Sequence, residues 1–238
     1  MLPPVRIVFL LSISVLCCAQ TPAAANPISS EHADKNEVDT VLPVITFTLD
    51  FPASQPEHYS IRIPSDGPAH YQSTGRISRD SEDTDSFDFD FALSAELRGR
   101  AFRLAAGAGH FKRDIDSHQK NLAFMGNKTL SYKDAHETGE ASFNYSANPE
   151  ARELAELFQN LSATLEFGHR LDYDRRYQKL ALDDELKRMQ QMEQDKELIE
   201  VAAIQTILEQ IIADHSVINV ARARAQQLLK PPASVREK

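Results

Sequence analysis

The sequence predicts an α+β fold: a mainly antiparallel sheet with two helices packed on it, followed by a C-terminal helical region of about three helices. Three observations carry that prediction. Short segments that alternate apolar and polar residues fill the chain from about Val41 to Tyr145. Only two helix-like stretches interrupt or follow them before His169. From His169 onward the composition becomes helical and highly charged, with no alternating segment.

The elements follow in order. Residues 44–51, VITFTLDF, put Ile45, Phe47, Leu49 and Phe51 on one side and Thr46, Thr48 and Asp50 on the other, which is a strand with one buried face. Tyr59, Ile61 and Ile63 repeat the pattern. Pro64–Gly67 is a turn, because Asp66-Gly67 supplies the left-handed position, and Pro68–Ser73 returns as a partner strand. Phe87, Phe89, Phe91 and Leu93 mark the clearest strand. Ser94 then caps a helix through its hydroxyl, Leu97, Ala101, Leu104 and Ala105 form the apolar stripe, and Gly107 and Gly109 end it. Leu130 and Tyr132 lie on the next strand. Ala141, Phe143 and Tyr145 lie on its neighbour, with a turn near Gly139. Asn148-Pro149 opens the second helix, whose face is Leu154, Leu157, Phe158, Leu161 and Leu165.

In the helical region, Asp172/Arg176, Asp183/Lys187 and Asp184/Arg188 place an acid four residues before a base, each pair adding roughly 0.2–0.5 kcal/mol. Tyr173, Tyr177 and Leu180 share one face, and Leu182, Leu186 and Met189 lie nearly opposite. Either the helix kinks near Leu182–Asp184 or its halves pack on different partners; the second arrangement is the favoured one, with Tyr173 and Tyr177 sealing the first half onto the α+β domain. The alternative for "DYDRRYQKL" is a recognition surface, since Tyr and Arg are typical interface anchors. Leu198, Val201, Ile204, Ile207, Leu208, Ile211 and Ile212 line a further, widely buried helix. Ser216 caps the last one, with Val217, Ile218, Ala221, Ala225, Leu228 and Leu229 inward and Pro231-Pro232 as the stop.

The N-terminus sets the compartment. Ile7–Cys18 is an apolar run of signal-peptide length, too short to span a bilayer, with small-residue cleavage sites after Ala19 and, as the alternative, after Ala25. The organisation expected is therefore a signal peptide at 1–19, a flexible linker at 20–40, the α+β domain at 41–168, the helical region at 169–230 and a tail at 231–238. The protein is expected to be exported, periplasmic or extracellular. Both cysteines, Cys17 and Cys18, lie in the leader, so the mature chain has no disulfide and no thiolate site; the alternative is a lipid anchor through Cys17 or Cys18. A net charge of −9 argues against nucleic acid as a partner, and no later segment is long and apolar enough for a membrane span.

Chemistry has few footholds. The best metal cluster is His110, Asp114, Asp116 and His118; on an extended backbone Asp114, Asp116 and His118 would project from one side toward a divalent cation, but Lys112 and Arg113 among them argue for a polar loop. In the acidic stretch Arg79–Phe91, Asp83 and Asp85 alternate as calcium ligands do, yet Phe87 takes the third position and no glycine follows. The stretch divides into a solvated loop over residues 79–86 and a strand from Phe87 with Asp88 and Asp90 outward. No nucleophile elbow, phosphate loop or His-Glu-x-x-His occurs, and no catalytic, cofactor-binding or metal residue is assigned.

The hairpin YSIRIPSDGPAHYQSTG, with TLSY and ASFNYS later, resembles a class of uncharacterised bacterial exported proteins with a small α+β domain. The matching positions are Tyr59, Asp66, Gly67, Tyr71 and Gly75 within residues 44–165. The resemblance implies an envelope protein of unknown role and transfers no catalytic residue. The function expected is a non-catalytic protein-binding or structural module of the envelope. Its partner would be another envelope protein, or a second copy held through the helical region if Leu182, Leu186 and Met189 are exposed. The rival is a hydrolytic enzyme whose site assembles only in three dimensions.

Overall fold

Alternation becomes a sheet with one dry face. The structure, a computed structural model, describes residues 42–76 and 84–230. The leader with its cleavage at Ala19, Cys17 and Cys18, the linker at 20–40, Asp80, Glu82 and Asp83, and the tail at 231–238 lie outside the described residues. Six strands, β1 (Val44–Asp50), β2 (His58–Pro64), β3 (Ala69–Arg76), β4 (Thr84–Phe91), β5 (Asn127–Lys133) and β6 (Thr138–Phe143), form one antiparallel sheet in the order β4-β3-β2-β1-β5-β6. The register aligns Phe89, Tyr71, Ile61, Phe47, Leu130 and Ala141 in one row across it. The next row, on the opposite face, reads Asp88, Gln72, Ser60, Thr48, Thr129 and Ser142. The first face is covered and the second is open to water, as period-two patterning requires.

Five α-helices are present among the described residues: α1 (Ala95–Gly107), α2 (Pro149–Tyr177), α3 (Leu182–Gln194), α4 (Gln205–Ala213) and α5 (Asn219–Leu228). The expected caps form. Ser94 Oγ accepts from Leu97 N at 3.3 Å, and Asn148 Oδ1 accepts from Ala151 N at 2.8 Å with Pro149 opening α2. Ser94 Oγ also donates to Glu200 Oε2 at 2.7 Å, tying the start of α1 to the C-terminal region. The Phe158 ring on α2 stacks on Phe47 of β1, centroids 5.1 Å apart and planes within 5°.

α2 runs unbroken for 29 residues, through the 168/169 boundary drawn from composition. Its second half meets the C-terminal helices. Gly168 leaves the space that Ile204 fills, since a Cβ there would lie 2.5 Å from Ile204 Cγ2. Thr164 Oγ1 donates to Ile199 O at 2.7 Å, and Arg170 Nε reaches Glu185 Oε1 on α3 at 2.5 Å.

Several expectations are corrected. The chain leaves helical geometry after Tyr177 and re-enters it at Leu182, so the two opposed stripes belong to two helices. Leu182, Leu186 and Met189 are buried within the chain, which removes the support for self-association through that face. Tyr173, Tyr177 and Leu180 are exposed and do not seal α2 onto its own domain. Asp183 pairs with Arg224 of α5 at 2.8 Å. Ser216 does not cap α5; its hydroxyl donates to Asp214 Oδ1, whose other oxygen takes Lys179 Nζ at 2.7 Å. The stripe from Leu198 is interrupted by left-handed Glu200 (φ 55) and a 3₁₀ turn at Val201–Ile204 before α4. The β5–β6 turn is at residues 134–137, where Asp134 Oδ1 accepts from the N–H groups of His136 and Glu137, both at 2.7 Å. Gly139 lies inside β6, where a Cβ would sit 1.9 Å from the His110 carbonyl oxygen.

Gly139→Ala and Gly67→Ala separate the two reasons for a glycine. Gly67 has φ +84 and nothing within 4 Å of a Cβ, so alanine there costs only the left-handed penalty of about 1–2 kcal/mol. Gly139→Ala meets a backbone oxygen that cannot rotate away and is expected to cost about 3 kcal/mol or more, the upper end of overpacking. Urea unfolding of both variants checks the order; equal losses would show that the His110 turn moves aside freely.

Candidate functional site

A polar cluster sits under α2 at the β3–β4 side of the covered face. β4 begins at Thr84, so Asp85 is in the strand and not in a solvated loop as expected, and it shares its face with Phe87 and Phe89. Tyr71 and Ser73 on β3 point the same way. From α2 come Ser162, Glu166 and His169, spaced four and three residues apart and therefore on one face. Tyr71 Oη and Ser73 Oγ both donate to Glu166 Oε1, each at 2.7 Å, and Tyr71 Oη lies 2.9 Å from Ser162 Oγ. His169 Nδ1 is 3.9 Å from Glu166 Oε2, its Nε2 is 3.5 Å from Asp85 Oδ2, and its ring stacks on Phe87 at 4.3 Å and 3°.

The electrostatics follow from burial. The Glu166 side chain is 13% exposed. Burial pushes its carboxyl up, but His169 and the Ser73 and Tyr71 hydroxyls outweigh burial and hold it below the ordinary range. The Glu166 carboxylate in turn raises the His169 imidazole. Burial pushes the Tyr71 and Tyr59 phenols far up, so both remain neutral, and Tyr71 is the donor to Glu166. The cluster is a carboxylate fixed as an acceptor with an imidazole beside it whose charged form it favours, leading outward to Asp85. Two clefts on the described surface, one beyond the end of β4 and one on the open face beside Arg62 and Lys133, are lined by none of these residues.

The candidate metal residues disperse. His110 stacks on Tyr132 at 4.0 Å and 12° and pairs with Glu137. Asp114 and His118 do pair, at 2.6 Å, but His118 has a left-handed backbone (φ 50), and Asp116 Oδ2 is taken by Asn144 N at 2.9 Å. The backbone is therefore not the extended one that would align three ligands. Among the described residues no group of three or more His, Cys, Asp or Glu is placed to hold a metal ion. Asp88 and Asp90 face the open side as expected, with His70 Nδ1 2.8 Å from Asp90 and Nε2 3.7 Å from Asp88.

A second feature is a built loop with an apolar rim. Leu122, Phe124 and Met125 are exposed, the last two at 59% and 58%. The loop beneath them is fixed. Asn144 Oδ1 accepts from Met125 N at 2.8 Å, and its Nδ2 donates to Ala123 O at 3.0 Å. Lys128, 7% exposed, donates Nζ to Met125 O at 3.1 Å and Asn144 O at 3.0 Å, and burial pushes its ammonium pKa down. Gly126 has φ +91, and a Cβ on it would meet Leu49 Cδ1 and Phe51 Cβ at 2.8 Å. The Phe124 ring sets its edge on Phe51 at 5.9 Å and 82°.

The sequence reading missed Glu166, His169, Lys128 and this loop. The one signal for the first two is the Ser162/Glu166/His169 spacing beside an otherwise apolar helix face. No protein-family model matches the chain, and no curated protein matches it.

The cluster has a pH signature. The raised His169 gives stabilisation that is full below the ordinary histidine value of about 6.5 and fades as pH climbs through its higher folded value. The lowered Glu166 gives stabilisation present above about 4.3 and lost on acidification through its lower folded value. The melting-temperature gap between the natural chain and His169→Gln is therefore expected to be largest between about pH 4.3 and 6.5 and to shrink in alkali. Thermal unfolding in stepped buffers measures it; a gap constant from acid to alkali would leave the His169 charge without a role.

Proposed function

We propose that the chain is an exported cell-envelope protein, periplasmic or extracellular, acting as a non-catalytic protein-binding or structural module. The leader Met1–Ala19 supports export, with cleavage after Ala19 and lipid attachment at Cys17 or Cys18 as the competing fate. In this reading α1 and α2 roof the sheet, and α3 to α5 form the helical extension. The observation that carries the binding role is the loop bearing exposed Leu122, Phe124 and Met125, hydrogen-bonded at Ala123 and Met125 to Asn144 and Lys128. Adjacent exposed apolar side chains mark interaction surfaces. Holding them in one backbone geometry before contact lowers the ordering cost of association. The partner is another envelope protein.

The hydrolytic alternative rests on the Glu166–His169 pair. A general base must reach the proton that it abstracts, and Glu166 Oε1 is occupied by two protein hydroxyls. The binding reading is therefore the better supported.

Affinity recovery from the envelope fraction tests it. The natural mature chain is expected to retain a partner that the Leu122→Ser/Phe124→Ser/Met125→Ser variant loses, with unchanged thermal unfolding. Equal retention by the variant sinks the assignment of this loop. Mass spectrometry of the same material is expected to find an N-terminus at Gln20; a lipid-modified cysteine would overturn cleavage after Ala19.

A further inference from the structure

β4 is an outermost strand whose backbone pairs with β3 in unbroken register from Ala69–Phe91 to Arg76–Thr84. Among the described residues no turn or loop backbone bonds to its outer edge. Alternate N–H and C=O groups along its eight residues thus have no backbone partner on that side among the described residues. Natural edges of this length are blunted by proline, by a bulge, or by charged side chains, including charges that point inward. TDSFDFDF has no proline, lysine or bulge; its protection is acidic, Asp85 on the covered face and Asp88 and Asp90 on the open one, which repels acidic guests and leaves the edge selective for basic ones.

What it has is a two-sided code. On the open face Asp88 and Asp90 keep 66% and 72% of their side chains exposed, although His70 touches both. On the covered face Phe87 and Phe89 are only half-buried, stacking on each other at 5.6 Å and 17°, and Phe89 stacks on Phe91 at 6.3 Å and 5°. Beyond the C-terminal end of the strand opens a cleft of about 860 Å³ lined by Asp66, Asp90, Phe91, Leu93, Arg98 and Phe102. Arg98 donates there to the carbonyls of Pro64 and Gly67 and keeps its charge, so the cleft sets two carboxylates against one guanidinium.

We propose that the edge of β4 accepts an extended polypeptide segment as a seventh strand, one in which basic residues alternate with apolar ones. Strand addition satisfies the free backbone groups. Side chains of such a guest fall alternately on the two faces, so its basic residues meet Asp88 and Asp90 while its apolar residues cover Phe87 and Phe89. A guest longer than β4 runs its end over the cleft, whose apolar floor and acidic rim repeat the same preference. A second copy of β4 is the poorer guest, because it brings no basic residue to Asp88 and Asp90 and adds its own aspartates to the new ladder. This surface is separate from the Leu122–Met125 loop and does not depend on it.

The probe is a capped eight-residue peptide of alternating lysine and valine, titrated into the full chain by fluorescence anisotropy with amide hydrogen exchange. Binding is expected with slowed exchange in residues 84–91. A glutamate–valine peptide is expected to bind roughly tenfold or more weakly. N-methylation of the lysine–valine peptide at every second amide, made in both phases, is expected to abolish binding in the phase whose N–H groups face β4. Asp88→Lys/Asp90→Lys should reverse the preference toward the glutamate peptide, and the peptide arms stand if that variant fails to fold. Equal binding by both N-methylated phases and the parent would reduce the effect to diffuse charge attraction and overturn the proposal. So would no binding of the lysine–valine peptide, or protection confined to residues outside β4.

Discussion

The fold depends on α2 lying across the covered face of the sheet. An antiparallel sheet of this pattern has one apolar face that must be removed from water, and α2 supplies most of the roof. Leu154, Phe158, Leu161 and Leu165 are fully buried beneath it, and each is worth roughly 1.5–3 kcal/mol against exposure. The same helix continues past the sheet, and there it becomes the surface on which the C-terminal segments assemble. Gly168 receives Ile204, Thr164 holds the Ile199 carbonyl, and Arg170 meets buried Glu185. The buried side chains from Ile45 to Leu228 consequently form one continuous core. A single rigid rod thus couples two regions that differ sharply in composition.

This geometry explains what was legible in the sequence. β1, β2 and β6 announce themselves by alternation, and the caps of α1 and α2 by Ser94 and Asn148-Pro149, because each signal is contained within a few residues. The end of α2 was not legible. Residues 178–181 are Gln, Lys, Leu and Ala, none of them a helix breaker, and the chain turns there while Lys179 is held by Asp214, 35 residues on. Tertiary contacts override propensity at such a place. The start of β4 was hidden for the opposite reason: its acids look like a loop, and only pairing with β3 makes them a strand. The polar cluster was hidden most deeply, since Tyr71 and Glu166 lie 95 residues apart and no local pattern joins them.

Charge is arranged so that acids are repeatedly answered by histidine. Asp50 faces His58 at 2.5 Å, Asp90 faces His70, Asp114 faces His118, and Asp85 faces His169. Water screens the exposed pairs among these, so they tune the open face and the loops without holding the fold. The Glu166 cluster differs in being enclosed. A buried carboxylate left without partners would be costly; here two hydroxyls satisfy Oε1, and an imidazole 3.9 Å from Oε2 lies within ion-pair range. Its placement ties β3 and β4 to α2 at the β4 edge of the sheet.

The two exposed apolar features must be weighed by what surrounds them. A half-buried phenylalanine on an edge strand is ordinary by itself, and so is one exposed leucine in a loop. The Leu122–Met125 loop is different because its support is expensive. Lys128 is desolvated with carbonyl oxygens as its described hydrogen-bond partners, and Gly126 is confined to a backbone conformation that other residues resist. Asn144 spends both ends of its amide on the same few residues. Among the described residues Phe124 sets its ring edge on Phe51, yet Phe124 and Met125 stay largely wet. Solvent-facing apolar groups held this firmly lower the entropy cost of meeting something outside the chain, and that asymmetry separates a docking element from a loop that happens to carry apolar residues.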